Sequence, residues 1–390
     1  MDGRLEKVKT NDNMQKLTLG HILFLLGIFA KQFYLLPSGS LQIGDILMLC
    51  SFFCHFVITK KGLLSVHKDE LYILGYVSLI TIINGIYSLI YRDMGFMKTT
   101  LYYYFNIMLL LTFVAFIQDK TMFFLTMLRK ILQCGLVAQL LIFVGGIGRW
   151  YSSNRYEGTF NDPNQYGVFI FLSLLIIYIT GHMCGKKNGL WMLLGLILIL
   201  PSASIGALIG CAVFWLTFFT INNYKTKKFK TIFILVLCAA GILVFCGLTM
   251  GYLKIPYFIR SMSFYKRFDA KVASFLGASS MGSIISDRVW NRVFDYPEYL
   301  LYGAGEGRHA RFGSYLEIHS SILGPIFYYG CMPFSLFVAW CAVKIKHIDK
   351  NYICVYVALL VEALFIVNTR QVMFWMVLAL AGSNMVKRKK

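Results

Sequence analysis

The feature that most constrains this chain is a rhythm. Long apolar runs, of the kind that carry a helix across a bilayer in about 20 residues, recur from one end to the other. They fall near 17–36, 41–59, 71–91, 101–117, 131–147, 165–182, 189–201, 204–221, 231–250, 319–342, 352–368 and 371–386. Hydrophobic residues make up 58% of the chain and charged residues 14%, with a mean hydropathy of +0.64. A soluble fold of this length has too little interior to hide that much apolar surface. The expected fold class is therefore all-α. It is a polytopic membrane helix bundle of about twelve transmembrane helices, with residues 1–390 forming a single membrane domain.

The net charge of +20 suggests nucleic acid until the charges are placed. With the N terminus inside, Lys and Arg cluster in alternate connections: 1–16, 60–70, 118–130, 183–188, 222–230, 343–351 and the tail Lys387-Arg388-Lys389-Lys390. The short connections on the other side hold only Arg92, Lys98, Arg149, Arg155 and Arg370. That asymmetry is the pattern of cytoplasmic loops. The basicity reads as topology, with both termini cytoplasmic, the lipid bilayer as solvent and no nucleic-acid partner. Lys31 and Phe33-Tyr34 interrupt the small-residue pattern of a cleavage site, so the first run reads as a retained helix.

Segment 252–318, between the ninth and tenth runs, is the large extracytoplasmic loop of this scheme. It carries nine Lys or Arg and many aromatic residues, among them Phe258, Phe264, Trp290, Phe294 and Tyr299. That is too aromatic for disorder, so a small folded cap is expected. The cysteines sit almost entirely inside apolar runs, which argues against an exported disulfide framework.

Three helix starts face the exterior. Asp162-Pro163 is a cap followed by a first-turn proline; Ser202 or Ser204 would open the eighth run; Ser320 or Ser321 would open the tenth. Helix N termini favour anions, and Arg155 stands just before the first, so an anion site at the outer leaflet is one reading. Pairing of Arg155 with Glu157 or with lipid phosphate is the other. His319, where the long segment re-enters the bilayer, is suited to accept a proton as a neutral imidazole, or simply to hydrogen-bond at the interface. Gly303-Ala304-Gly305-Glu306-Gly307 lacks the strand of a dinucleotide loop and reads as a flexible turn. His309 and His319 have no cysteine near them, so no zinc site is expected, and no Asp-x-Asp pair suggests a metal-dependent transferase. Glu362, deep in the eleventh run, costs roughly 2.5–3.5 kcal/mol on insertion scales unless it pairs or serves a pathway.

Several of these segments resemble one family. Arg155-Tyr156-Glu157-Gly158-Thr159-Phe160-Asn161-Asp162-Pro163-Asn164 is similar to the R-x-x-G-x-F-x-x-P-N segment of bacterial O-antigen polymerases and ligases. Pro201-Ser202-Ala203-Ser204-Ile205-Gly206-Ala207 resembles their S-x-S-x-G-A helix opening. Asp287-Arg288-Val289-Trp290 with Gly303-Ala304-Gly305 resembles the R-x-x-W … G-x-G loop. His319-Ser320-Ser321-Ile322-Leu323 with Gly330 resembles H-N-x-x-L … G, with Ser320 in the place of the usual Asn. The likeness spans roughly 150–335 and is closest to the Wzy-type polysaccharide polymerases.

The resemblance implies metal-independent glycosyl transfer, without a cofactor, between undecaprenyl-diphosphate-linked oligosaccharides at the outer face of the bacterial plasma (inner) membrane. His319 would be the base. Arg155 and Arg288 would hold the diphosphate, with Arg308 and Arg311 as further diphosphate-binding candidates. A chain-length regulator and a flippase would be partners. The alternatives are an O-antigen ligase acting on lipid A core and, in another class, a lipid-linked oligosaccharide flippase or proton-coupled transporter built around Glu362.

Overall fold

A computed structural model of the protein describes residues 17–36, 41–58, 68–151, 155–222, 288–346 and 348–382. The ninth expected run, the residues 252–287 of the expected cap and both chain ends lie outside the described residues. The described chain is mostly helical. In order come α1 (Leu19–Ala30), α2 (Ile43–Phe53), α3 (Leu71–Tyr91), α4 (Gly95–Val144), the strands β1 (Arg149–Tyr151) and β2 (Arg155–Gly158), α5 (Pro163–Met183), α6 (Gly189–Ile199) and α7 (Ile205–Asn222). Then follow α8 (Asn291–Asp295), α9 (Tyr299–Tyr302), α10 (Leu323–Tyr329), α11 (Cys331–Lys346), α12 (Ile353–Phe365) and α13 (Val372–Ala381). A helix satisfies its own backbone polar groups, which is why apolar runs in lipid take this form. Four stretches among the described residues are long and apolar enough to cross a membrane: Lys68–Tyr91, Gly95–Gln118, Met122–Val144 and Pro163–Met183. Five further apolar helices are shorter.

The fourth and fifth expected runs are one helical element of 50 residues, α4. Straight, it would extend about 75 Å, and Phe113 and Phe124 would lie about 16 Å apart along its axis. Their ring centroids are instead 6.1 Å apart, and Phe24 of α1 packs against both. The element therefore doubles back between these rings, as two antiparallel spans must. At the centre of the bundle lie α13, buried at every residue, and α5, buried at all but Asn164, Gln165, His182 and Met183. A helix apolar all round is suited to that position.

Basic connections meet at one end. Glu70 accepts from Lys344 Nζ at 2.6 Å and Trp340 Nε1 at 2.8 Å, tying α3 to α11. Arg129 donates to Asn188 Oδ1 at 3.1 Å, and Tyr178 donates to the Asn351 carbonyl at 3.2 Å.

Connection 148–164 carries an antiparallel hairpin in which Trp150 pairs with Tyr156. Two local expectations are corrected. The tenth run is broken into α10 and α11 at Gly330, which has φ 76°. Gly303-Ala304-Gly305 is a buried junction rather than a flexible turn. Its Ala304 and Gly305 N–H groups donate to the Phe327 and Tyr328 carbonyls at 3.0 and 2.7 Å. A Cβ on Gly303 would sit 2.7 Å from the Tyr328 oxygen, so glycine serves close backbone approach here.

Candidate functional site

At the other end of the bundle, helix termini surround a cavity of about 590 Å³. The end of α1 brings Lys31 and Tyr34, the start of α2 brings Asp45, and early α4 brings Tyr102 and Asn106. The start of α5 adds Asp162, Asn164 and Gln165. The α12–α13 link adds Asn368, Arg370 and Gln371, and the segment between residue 288 and α10 adds Arg288, Glu317 and His319. Amides and tyrosines alternate with both signs of charge, a lining able to hydrogen-bond a polyhydroxylated ligand.

His319 stands on an extended run. Ile318 between Glu317 and His319 is buried and its N–H donates to the Tyr328 hydroxyl at 2.9 Å, while its two neighbours line the cavity. Alternation along an extended chain puts residues two apart on one side. The His319 N–H donates to the Arg288 carbonyl at 3.1 Å, and the Trp290 indole donates to the His319 carbonyl at 3.5 Å. Burial lowers the imidazole pKa from its ordinary value; Glu317 opposes the shift, and Arg288 adds to it. The ring is therefore neutral near pH 7 and able to take a proton. Helix α10 begins only at Leu323, and Ser320 Oγ accepts the N–H groups of Ile322 and Leu323 at 3.2 and 3.0 Å.

Arg288 also lines the cavity and donates to the Phe365 carbonyl at the end of α12. The next residue, Val289, has φ 57°. A β-branched residue with positive φ is a real outlier, costing of order 1–3 kcal/mol, and such strain concentrates at functional sites.

Arg155 does not line the cavity. Its Nε donates to the Ser202 carbonyl at 3.0 Å and its Nη2 to Asn164 Oδ1 at 2.8 Å, so it braces a cavity residue from behind. These bonds bring the β2 segment, the start of α5 and the α6–α7 turn together. Arg308 lies away from the cavity, 3.4 Å from Asp93 in an exposed pair. Arg311 is spent elsewhere too: it donates to the Ala304 and Gly305 carbonyls and stacks on Phe312, with 4.6 Å to the ring centroid. Two of the three helix starts are satisfied by side chains. Asp162 Oδ1 accepts Asn164 N at 2.7 Å and Gln165 N at 3.2 Å, and Ser320 closes the start of α10. Ser202 and Ser204 are buried against α5, where a Cβ on Gly167 would meet Ser204 Cβ at 2.6 Å. The anion reading of bare helix ends gives way to one based on side chains.

Sequence reasoning missed five participants: Arg370, Glu306, Glu317, Lys31 and Asp45. Arg370 Nη2 sits 2.5 Å from Glu306 Oε1 and 2.5 Å from Glu317 Oε2, with Nη1 3.2 Å from Glu317 Oε1. Burial alone would lower its pKa, but the two carboxylates outweigh that and raise it. Glu306 also accepts from Tyr329. Lys31 and Asp45 form a buried pair at 2.6 Å, and Asp45 Oδ2 accepts the Gln42 N–H as a cap of α2. The signal for Arg370 was the polar run Asn368-Thr369-Arg370-Gln371 between two apolar stretches. Its carboxylate partners are far away in sequence and gave none.

The sequence matches no family model and no curated protein.

Proposed function

We propose that this protein is a membrane-embedded glycosyltransferase that joins undecaprenyl-diphosphate-linked oligosaccharide repeat units into O-antigen or capsular chains. The observation that carries the reading is the joint placement of His319 and Arg288 in one cavity at the end of a bundle of apolar helices. A ligand with a lipid tail and a polar head can reach such a place from the bilayer. The motif resemblance supports the same chemistry, and together with the Lys/Arg asymmetry it supports a reading in which this end faces outward from the plasma membrane and the termini are cytoplasmic.

In this reading an acceptor sugar hydroxyl attacks the anomeric carbon of the donor chain. Its proton passes to His319, and a base in that role contributes roughly a hundred- to ten-thousand-fold. The anomeric carbon–oxygen bond to the diphosphate breaks, and undecaprenyl diphosphate leaves with the bonding electrons. Arg288 stabilises the charge growing on the leaving group, aided by Arg155 through Asn164. Lys31 and Arg370 are already matched by carboxylates, which suits them to shaping the cavity around neutral sugars.

Reconstitution with undecaprenyl-diphosphate repeat units tests the proposal. A ladder of products on a gel, lost in His319→Ala, is expected. A single transfer that requires lipid A core would mark the ligase instead. Transport of the lipid-linked unit with no new glycosidic bond would refute the enzyme.

A further inference from the structure

The cavity floor contains an oddity that the reaction does not use. Glu362, in the last turn of α12, is 0% exposed, and so is Asn368 in the link that follows. The Asn368 amide donates to Glu362 Oε2. The other oxygen of each side chain, Glu362 Oε1 and Asn368 Oδ1, is buried without a hydrogen-bond partner. Two buried acceptors left unpaired on side chains already joined by one hydrogen bond are expensive as drawn, since each unmet group costs about 1–3 kcal/mol.

A single proton removes both defects. A carboxylic acid and a primary amide close a two-bond ring: the amide N–H donates to one carboxyl oxygen, and the acid O–H donates to the amide oxygen. We propose that Glu362 carries a proton and forms this ring with Asn368, making it a neutral positioning residue for the cavity floor. The neighbouring groups agree. Packing on this side is by α7, where Gly210 allows the Glu362 Cβ close approach and the Cys211 thiol is the titratable group within electrostatic range. Arg288, beside the end of α12, gives its Nη1 to the Phe365 carbonyl. No salt bridge reaches Glu362 among the described residues.

The ring has a structural consequence. Asn368 is also held by its backbone, whose N–H donates to Ser321 Oγ at 2.6 Å. Ser321 in turn binds the Ile366 carbonyl through its hydroxyl at 2.7 Å and the Ala363 carbonyl through its N–H at 2.8 Å. Ser321 stands two residues from His319, and Arg370 two residues from Asn368. The acid–amide ring thus fixes the break between α12 and α13, from which Asn368, Arg370 and Gln371 enter the cavity. It also accounts for a carboxyl within an apolar run without proton transport.

Infrared spectroscopy of the purified full-length protein tests this directly and needs no substrate. The expected spectrum contains a protonated-carboxyl C=O band at neutral pH that shifts on deuteration and disappears in Glu362→Gln. Gln keeps one acceptor and supplies the missing donor, so Glu362→Gln should retain the wild-type melting midpoint and full chain elongation. Glu362→Ala and Asn368→Ala should each lower the midpoint. The proposal is overturned if no such band is lost in Glu362→Gln, or if that variant melts like Glu362→Ala. A melting midpoint that rises with sodium or potassium chloride but not choline chloride, with the effect absent in Glu362→Gln, would also overturn it. That result would put a cation, rather than a proton, between the two oxygens. Because band and midpoint are read without turnover, failure of the glycosyltransferase reading would leave these results unchanged.

Discussion

Replacing Arg370 with Met should unsettle the cavity wall by an amount the structure sets. The guanidinium answers two carboxylates, Glu306 with a side chain 8% exposed and Glu317 with one 27% exposed, while Arg370 itself is 31% exposed. Methionine fills much of the volume and removes the charge. Glu306 is then left buried with the Tyr329 hydroxyl as its remaining described partner. Breaking a buried ion pair by removing one member costs about 3–5 kcal/mol. Solvent reaches part of Arg370 and Glu317 and screens their share, so the lower end, about 3 kcal/mol, applies. At 1.4 kcal/mol per factor of ten, that is about a hundredfold in the folded-to-unfolded ratio. Unfolding the variants in mixed micelles against denaturant measures it. Glu306→Gln in the Arg370→Met background should recover at least half of the loss, because it removes the stranded charge. Arg370→Lys should fall between, since one ammonium cannot reproduce the planar fork that serves both acids. A loss below about 1 kcal/mol in Arg370→Met, or damage that adds when Glu306→Gln is combined with it, would refute the argument.

Three other outcomes follow from single residues. Elongation by the reconstituted protein should hold level through neutral pH and fall only below the ordinary imidazole range, because the His319 pKa is lowered; a decline between about pH 8 and 7 would count against His319 as the base. Burial pushes the His309 pKa down to about 4, so the unfolded chain takes up a proton from about pH 6.5 that the folded chain refuses until about 4. Stability should therefore drop over that window by roughly 2–3 kcal/mol, and His309→Gln should flatten the acid limb of a melting-point profile. Gly167→Val should destabilise by at least about 1–3 kcal/mol in the same unfolding assay, since α5 meets Ser204 there with no space for a side chain.

Sequence by itself determined the material and the rhythm: apolar runs long enough for a bilayer, broken by polar links, in a mostly helical chain. Its position where the long segment re-enters the apolar runs singled out His319, the motif resemblance singled out Arg288, and these two do share a cavity. The sequence did not tell which helix would be central. Lipid and protein interior are equally apolar, so α5 and α13, buried nearly everywhere, carry no polar face that marks them apart from lipid-exposed neighbours. Nor did it separate arginines facing the cavity from those tied to backbone carbonyls, such as Arg311, because a guanidinium finds its acceptors in three dimensions. Tertiary structure alone decided that Arg370 meets Glu306 and Glu317, and that Glu362 closes on Asn368. Those encounters join residues on different elements or across a helix break, and no periodicity along the chain records them.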